Sequence, residues 1–401
     1  MFEKEYLSIH PTRGWSLTSQ LIDCLEQLPP KHGSLDGRIL RMTFFLEVRD
    51  KADLRRKRRQ ASGILKEFFK NDLPPFSLIA QPPEAGLKIA LYAESLSPDA
   101  EKAVVQYKLF GGFPYCSVQS GVHREIHGAG LTVGNRRQGT RNQATAAFQL
   151  MKSLLEKERM ALGDIVRQWN FIEDILRLRP TPSGCRQNYQ EFNDVRQRFY
   201  RESSFPAGFP AATGIGMSHG GVVLEFLAVS PSDGRRQVPL SNPLQKDAHR
   251  YSQEVLVGEP DQLGRPMASP LFERAKFLAL DGSGVILISG TAAVRQEATA
   301  PAKDVETQTR ITIENIMRLI SKENLMNHGI DARRDPWPLS YLRAYVRRGR
   351  DLPAVKRICR RSFGPVPAQY VAADICRDDL LVELEGVVSL SGKSQPYGAC
   401  S

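Results

Sequence analysis

Apolar positions along this chain recur with two periods, and the alternation between them repeats three times. A run of apolar residues over 38–48 predicts a strand, and Leu54, Ile64, Leu65, Phe68 and Phe69 predict an amphipathic helix after it. A strand over 76–80, a Pro82-Pro83 turn and a strand over 87–92 close the first copy. In the second copy Ala144, Ala147, Phe148, Met151, Leu154 and Leu155 fit a 3.6-residue period, and a strand is predicted over 164–172. A helix over 189–200, the Pro210 to Gly216 stretch and an apolar run over 222–227 follow. The third copy has a strand over 285–292, a helix through Ile313, Ile316, Met317 and Ile320, and a strand over 341–347. A helix over 352–363 and the strand containing Val382-Glu383-Leu384-Glu385 complete it. The shared order is helix, strand, helix, strand, strand. The first copy has no evident opening hairpin and reads as truncated.

These repeats divide the chain into units at 1–97, 98–230 and 269–390. A Pro-, Gly- and charge-rich connection at 231–268 precedes the third, and a frayed tail over 391–401 follows it. With 401 residues, 41% hydrophobic and 25% charged, the composition is that of an ordinary globular protein. No apolar run approaches the roughly 20 residues that cross a bilayer. The start, Met1-Phe2-Glu3-Lys4-Glu5-Tyr6, lacks a secretory pattern, so a cytoplasmic protein without membrane contact is expected. The six cysteines form no C-x-x-C pair, which argues against a disulfide framework and a zinc site. His123-Arg124-Glu125-Ile126-His127 has arginine where a zinc-protease helix requires glutamate, and glycines follow it. No metal and no cofactor are expected.

The net charge of +11 fits either nucleic acid or a small acidic substrate held by a few arginines. The run Arg55-Arg56-Lys57-Arg58-Arg59 is read as the solvated face of its helix. Exposed aromatics interleaved with basic residues, which a nucleic-acid surface needs, are absent from the pattern, so no nucleic-acid partner is expected.

The most informative chemistry is in the last strand. Glu383 and Glu385 share one face of an otherwise apolar strand. The plain alternative is an edge strand with a solvated acidic face. If that face closes on a poorly hydrated space, burial raises a carboxyl pKa, and a second carboxylate on the same face raises it further, making a proton donor.

The repeated unit resembles the Rid/YjgF (chorismate-mutase-like) fold, an α+β domain that trimerises around its open sheet faces. The resemblance implies three units forming a pseudo-trimer within one chain, monomeric in solution. A more specific set of strings spans residues 105–390. It comprises Arg167-x-Trp169-Asn170, Pro210-Ala211-Ala212-Thr213-Gly214-Ile215-Gly216, Ser289-Gly290-Thr291-Ala292, Tyr345-Val346-Arg347-Arg348 and Asp374-Ile375 followed by Leu380 to Gly386. In this order they resemble the chorismatase family. The segment 116–143, basic and glycine-rich, is longer than the family usually has.

The resemblance implies a small-molecule partner, chorismate, cleaved to pyruvate and a ring compound. Glu383 is similar to the family's catalytic glutamate, which protonates the enolpyruvyl methylene. Arg167 and Arg347 are expected on the substrate carboxylates, with Tyr345, Thr213, Gly214 and Gly290 completing the substrate site. Gly290 and Cys376 resemble members that form 3-hydroxybenzoate, in which the ring hydroxyl is captured internally and the cysteine assists. Members with alanine at both positions hydrolyse chorismate to a dihydroxycyclohexadiene acid, and that outcome is the alternative. Accompanying 4-hydroxybenzoate stays open. A Rid-type enamine or imine hydrolase would need an arginine ahead of the final strand, where this chain reads Pro365-Val366-Pro367-Ala368-Gln369-Tyr370.

Overall fold

The computed structural model describes residues 2–29, 38–97, 102–133, 139–181, 184–230, 236–260, 264–280, 283–331 and 338–389. The tail at 391–401 lies outside them.

The N-terminal unit runs β1 (Lys4–Ile9), α1 (Leu17–Glu26), β2 (Ile39–Leu46), α2 (Lys51–Phe69), β3 (Phe76–Ile79) and β4 (Ile89–Leu96). Asp50 caps α2, its carboxylate accepting from the backbone N–H groups of Ala52 and Asp53 at 2.8 Å. The central unit opens with the meander β5 (Val104–Phe110), β6 (Phe113–Ser120) and β7 (His123–Leu131). It continues with α3 (Thr140–Lys157), β8 (Ile165–Glu173), the small hairpin β9 (Leu178–Thr181) and β10 (Gly184–Gln187), then α4 (Asn188–Arg201), β11 (Ala211–Met217) and β12 (Val222–Val229). The C-terminal unit begins with β13 (Gln237–Leu240), β14 (Ala275–Leu280), β15 (Ser283–Ala292) and the short pair β16 (Val294–Arg295) and β17 (Ala298–Thr299). Next come α5 (Val305–Leu319), α6 (Lys322–Asn327), β18 (Leu339–Val346), α7 (Leu352–Phe363), β19 (Ala368–Ala372) and β20 (Val382–Ser389).

The three sheets share one four-stranded plan. Their orders are β1-β4-β2-β3, then β11-β8-β12-β7-β6-β5, then β13-β14-β15-β20-β18-β19. In each, one parallel pair (β2 with β3, β8 with β11, β18 with β19) is joined by a helical crossover, and the final strand lies antiparallel between older strands. The N-terminal unit is therefore less truncated than its pattern suggests. It has the whole four-stranded core and lacks the two outer strands that extend each of the other sheets, so the missing opening hairpin is real. β1 is hard to read because its inward positions include Lys4, buried in an ion pair of 2.8 Å with Glu125.

Each sheet packs one face against its helices and turns the other inward. Tyr6, Phe45 and Tyr92 meet Trp169, Phe171 and Val223, and these meet Leu287, Tyr345 and Val387 in one shared core. The chain is thus an α+β pseudo-trimer of Rid-like units folded around its own centre. The basic run on α2 divides: Arg55, Arg56 and Arg59 are solvated, whereas Lys57 is buried against Asp53 at 3.0 Å and Arg58 donates to the Leu78 carbonyl at 3.0 Å. The His123 to His127 stretch is strand, with buried His127 Nε2 3.0 Å from Glu125.

Candidate active site

Where sheets meet around the centre, the register sets equivalent positions. Arg41 and Thr43 on β2 correspond to Arg167 and Trp169 on β8, because Thr43 pairs with Ser77 as Trp169 pairs with Thr213. Both pairs reach across to the next sheet and hold a buried carboxylate there. Arg41 and Thr43 hold Glu225, while Arg167 and Trp169 hold Glu385. At the third junction Arg343 lies 4.5 Å from the centroid of the Tyr92 ring instead. Two residues before each of these positions stand Glu383, Val223 and Ala90, opposite Tyr345, Phe171 and Phe45. Only one of the three equivalent positions carries an acid.

Glu383 faces a cleft of about 730 Å³ between the central and C-terminal sheets. Edge strand β11 runs along β15 there, tied by Ala212 N–H to Ser289 Oγ (2.9 Å) and Gly290 N–H to Thr213 Oγ1 (3.0 Å). The bulge of β15 between Ile288 and Thr291 turns Gly290 toward the acid. A Cβ at residue 290 would stand 2.0 Å from Glu383 Oε1, so the carboxyl occupies the space a side chain would take.

The electrostatics follow from this stacking. Burial raises Glu383, and the neighbouring charge of Glu385 raises it further, against Arg167 and Arg274, to about 8. Burial would raise Glu385 too, but Arg167 and Arg343, with bonds from Thr213 and Trp169, bring it below its ordinary value. Arg167 Nη2 lies 2.8 Å from Glu385 Oε2, and Trp169 Nε1 lies 2.9 Å from Oε1. The pair is thus divided at neutral pH, with Glu385 ionised and Glu383 holding its proton. Cys376 also lines the cleft, and burial followed by the Glu383 charge pushes its thiol up to about 12.

Of the residues singled out in the sequence, Glu383, Cys376, Gly290 and Gly214 line this cleft. Thr213 lies behind it, its hydroxyl between Gly290 N–H and Glu385. Arg167 is buried on Glu385, and Tyr345 is buried with its hydroxyl 3.2 Å from Arg343 Nη1, neither of them on the cleft wall. Arg347 follows β18 and lies 3.7 Å from Asp374, also outside the lining.

The guanidinium groups that do face the cleft are Arg274 and Arg377, with Tyr251 between them. Arg274 Nη2 donates to Tyr251 Oη at 2.7 Å, while its Nε and the Nδ2 of Asn193 are buried without partners among the described residues. Unpartnered buried donors on a cleft wall suit an anionic, oxygen-rich ligand. Tyr251 belongs to the segment read as a connection, which supplies a wall of the site. Arg377 was within view, directly after Cys376. Arg274 gave no signal, since its hydrogen bonds to Tyr251 and the Lys246 carbonyl come from residues distant in sequence.

A cleft with a protonated carboxylic acid and two guanidinium groups has the chemistry to protonate a small anionic molecule. Residues 122–228 match the family described as "Chorismatase FkbO/Hyg5-like, N-terminal". A 3-hydroxybenzoate synthase of Streptomyces hygroscopicus is 40% identical over 261 residues, covering 62% of this chain and 70% of that protein. A chorismatase of Streptomyces rapamycinicus is 33% identical over 261 residues, covering 64% and 71%. A chorismatase crystal structure shares the fold with a TM-score of 0.67 at 23% identity, covering 96% of this chain and 98% of that one. The chain belongs to the chorismatase family. No helix among the described residues is long and apolar enough to cross a membrane.

Proposed function

We propose that the cleft cleaves chorismate to pyruvate and 3-hydroxybenzoate, with Glu383 as the acid. The observation that carries this reading is a buried carboxyl raised to about 8 beside Gly290 and Cys376. Glu383 gives its proton to the enolpyruvyl methylene, which becomes the methyl of pyruvate, and the ether carbon takes up positive charge. The neighbouring ring hydroxyl attacks the ring carbon that bears the ether. The ether bond breaks, pyruvate leaves, and the hydroxyl proton returns to the Glu383 carboxylate. The resulting arene oxide opens, and loss of the ring proton restores aromaticity. Substrate and products balance without water. The neutral Cys376 thiol serves as a hydrogen-bond donor to the oxide oxygen, and Arg274 and Arg377 hold the two substrate carboxylates.

Arg167 acts beneath the site, keeping Glu385 ionised so that its charge keeps Glu383 protonated. Thr213 fixes Gly290 and Glu385, Gly214 carries the ring of Tyr189, and Tyr345 and Arg347 shape the sheet around the acid. Three units closing one another's sheet faces support a monomer, which light scattering would overturn by returning a trimer of full chains. The test of the reaction is chorismate in H₂¹⁸O, with products separated by chromatography and mass spectrometry. Equal pyruvate and 3-hydroxybenzoate, with no solvent oxygen in the aromatic product, supports the reading. A non-aromatic dihydroxy acid carrying ¹⁸O would assign the hydrolytic outcome instead.

A further inference from the structure

The junction between the N-terminal and central sheets repeats the frame of the active cleft. Gly130 precedes Leu131, the partner of Leu224, as Gly290 precedes Thr291, the partner of Leu384, and both strand pairs carry a bulge there. The clasp repeats as well: Gly130 N–H donates to Ser77 Oγ at 2.7 Å, where Gly290 N–H donates to Thr213 Oγ1 at 3.0 Å. This frame bounds an open cleft of about 1850 Å³. Val223, the register equivalent of Glu383, lies in its wall.

Its chemistry differs from that of the active cleft. Among the described residues the lining has no acidic side chain, and four cations stand on it: Arg58, Lys66, Lys70 and Lys108. Lys108 leans on Glu158 at 3.2 Å and Arg58 is spent partly on the Leu78 carbonyl, whereas Lys66 and Lys70 are exposed at the end of α2. Between the cations the surface is apolar and ring-bearing, with Phe76, Leu78, Tyr107 and Phe113. Apolar side chains outnumber the cations, which fits an anion with a flat apolar body better than a bare phosphate.

We propose that this cleft is a second, non-catalytic binding site for aromatic carboxylates. The carboxylate lies against Lys66 and Lys70, and the ring lies on the apolar floor. With Val223 in place of the acid, no proton can be delivered there, so the ligand is held and not converted. The inference concerns binding alone and does not need the active cleft to turn over chorismate.

Isothermal titration with 3-hydroxybenzoate, on the full chain and on the double variant Lys66→Glu/Lys70→Glu, tests it. The expected result is one fewer molecule bound per chain in the variant, or that site weakened at least tenfold, with chorismate turnover within twofold of the unsubstituted protein. That difference supports the proposal whether or not the active cleft also binds the probe. Superimposable titrations of the two proteins would overturn it. So would inorganic phosphate binding to this cleft while 3-hydroxybenzoate does not.

Discussion

Replacing Glu383 by Gln removes a titrating group while keeping its shape, and the raised proton affinity of that group has a cost that stability measurements can read. The unfolded carboxyl ionises at its ordinary value of 4.5, whereas the folded one ionises at about 8. Between those values the unfolded state has released a proton that the folded state retains, so stability falls as pH rises, by about 1.4 kcal/mol per pH unit. From pH 5 to pH 9 the penalty accumulates to about 4 kcal/mol, and it levels off once the folded carboxyl has ionised. At about 2.1 cal/mol/K per residue, a chain of 401 residues shifts by about 1.2 °C per kcal/mol. Thermal melts of both proteins at pH 5, 7 and 9 should therefore diverge by about 5 °C, with the Gln variant gaining on the alkaline side. Parallel pH dependences would mean that Glu383 is ionised in the folded protein and that the reasoning about its environment is wrong.

Turnover should follow the same proton: log kcat/KM measured from pH 6 to 10 should fall with a slope of one as pH rises through about 8, and a flat profile would count against an acid role. Gly290→Ala places a methyl 2.0 Å from the Glu383 carboxyl, which must swing away, so kcat should drop at least tenfold in a pyruvate-release assay while substrate affinity changes less. Arg377→Ala removes a charge-assisted contact on the cleft wall and should raise KM about 10- to 100-fold; an unchanged KM would remove Arg377 from the site. Cys376→Ala should leave pyruvate release largely intact while slowing or diverting aromatisation, read as the ratio of pyruvate to 3-hydroxybenzoate.

The repeat was legible because the strands that build each sheet's inner face are apolar on both sides, and the helices between them keep a clear stripe. What hid were elements whose inward positions are charged or whose outward ones are apolar. Lys4 in β1 is buried on Glu125, and exposed Val104 and Leu109 blur the alternation of β5. The acid was legible for a local reason, two carboxylates on one face of an apolar strand. The arginines were not. An arginine in or beside a strand looks the same in sequence whether it faces a cleft, as Arg274 does, or neutralises a carboxylate from another unit, as Arg167 does with Glu385. That distinction depends on contacts more than two hundred residues apart.

Proton delivery from Glu383 to chorismate is the step on which the proposed reaction turns. Single-turnover pyruvate formation near pH 6.5, compared between the unsubstituted protein and Glu383→Gln at matched occupancy, tests it most directly. A general acid contributes roughly 10² to 10⁴ in rate. The Gln variant should lose that much, with chorismate affinity preserved within a few-fold. A Gln variant that forms pyruvate within tenfold of the unsubstituted rate would contradict it.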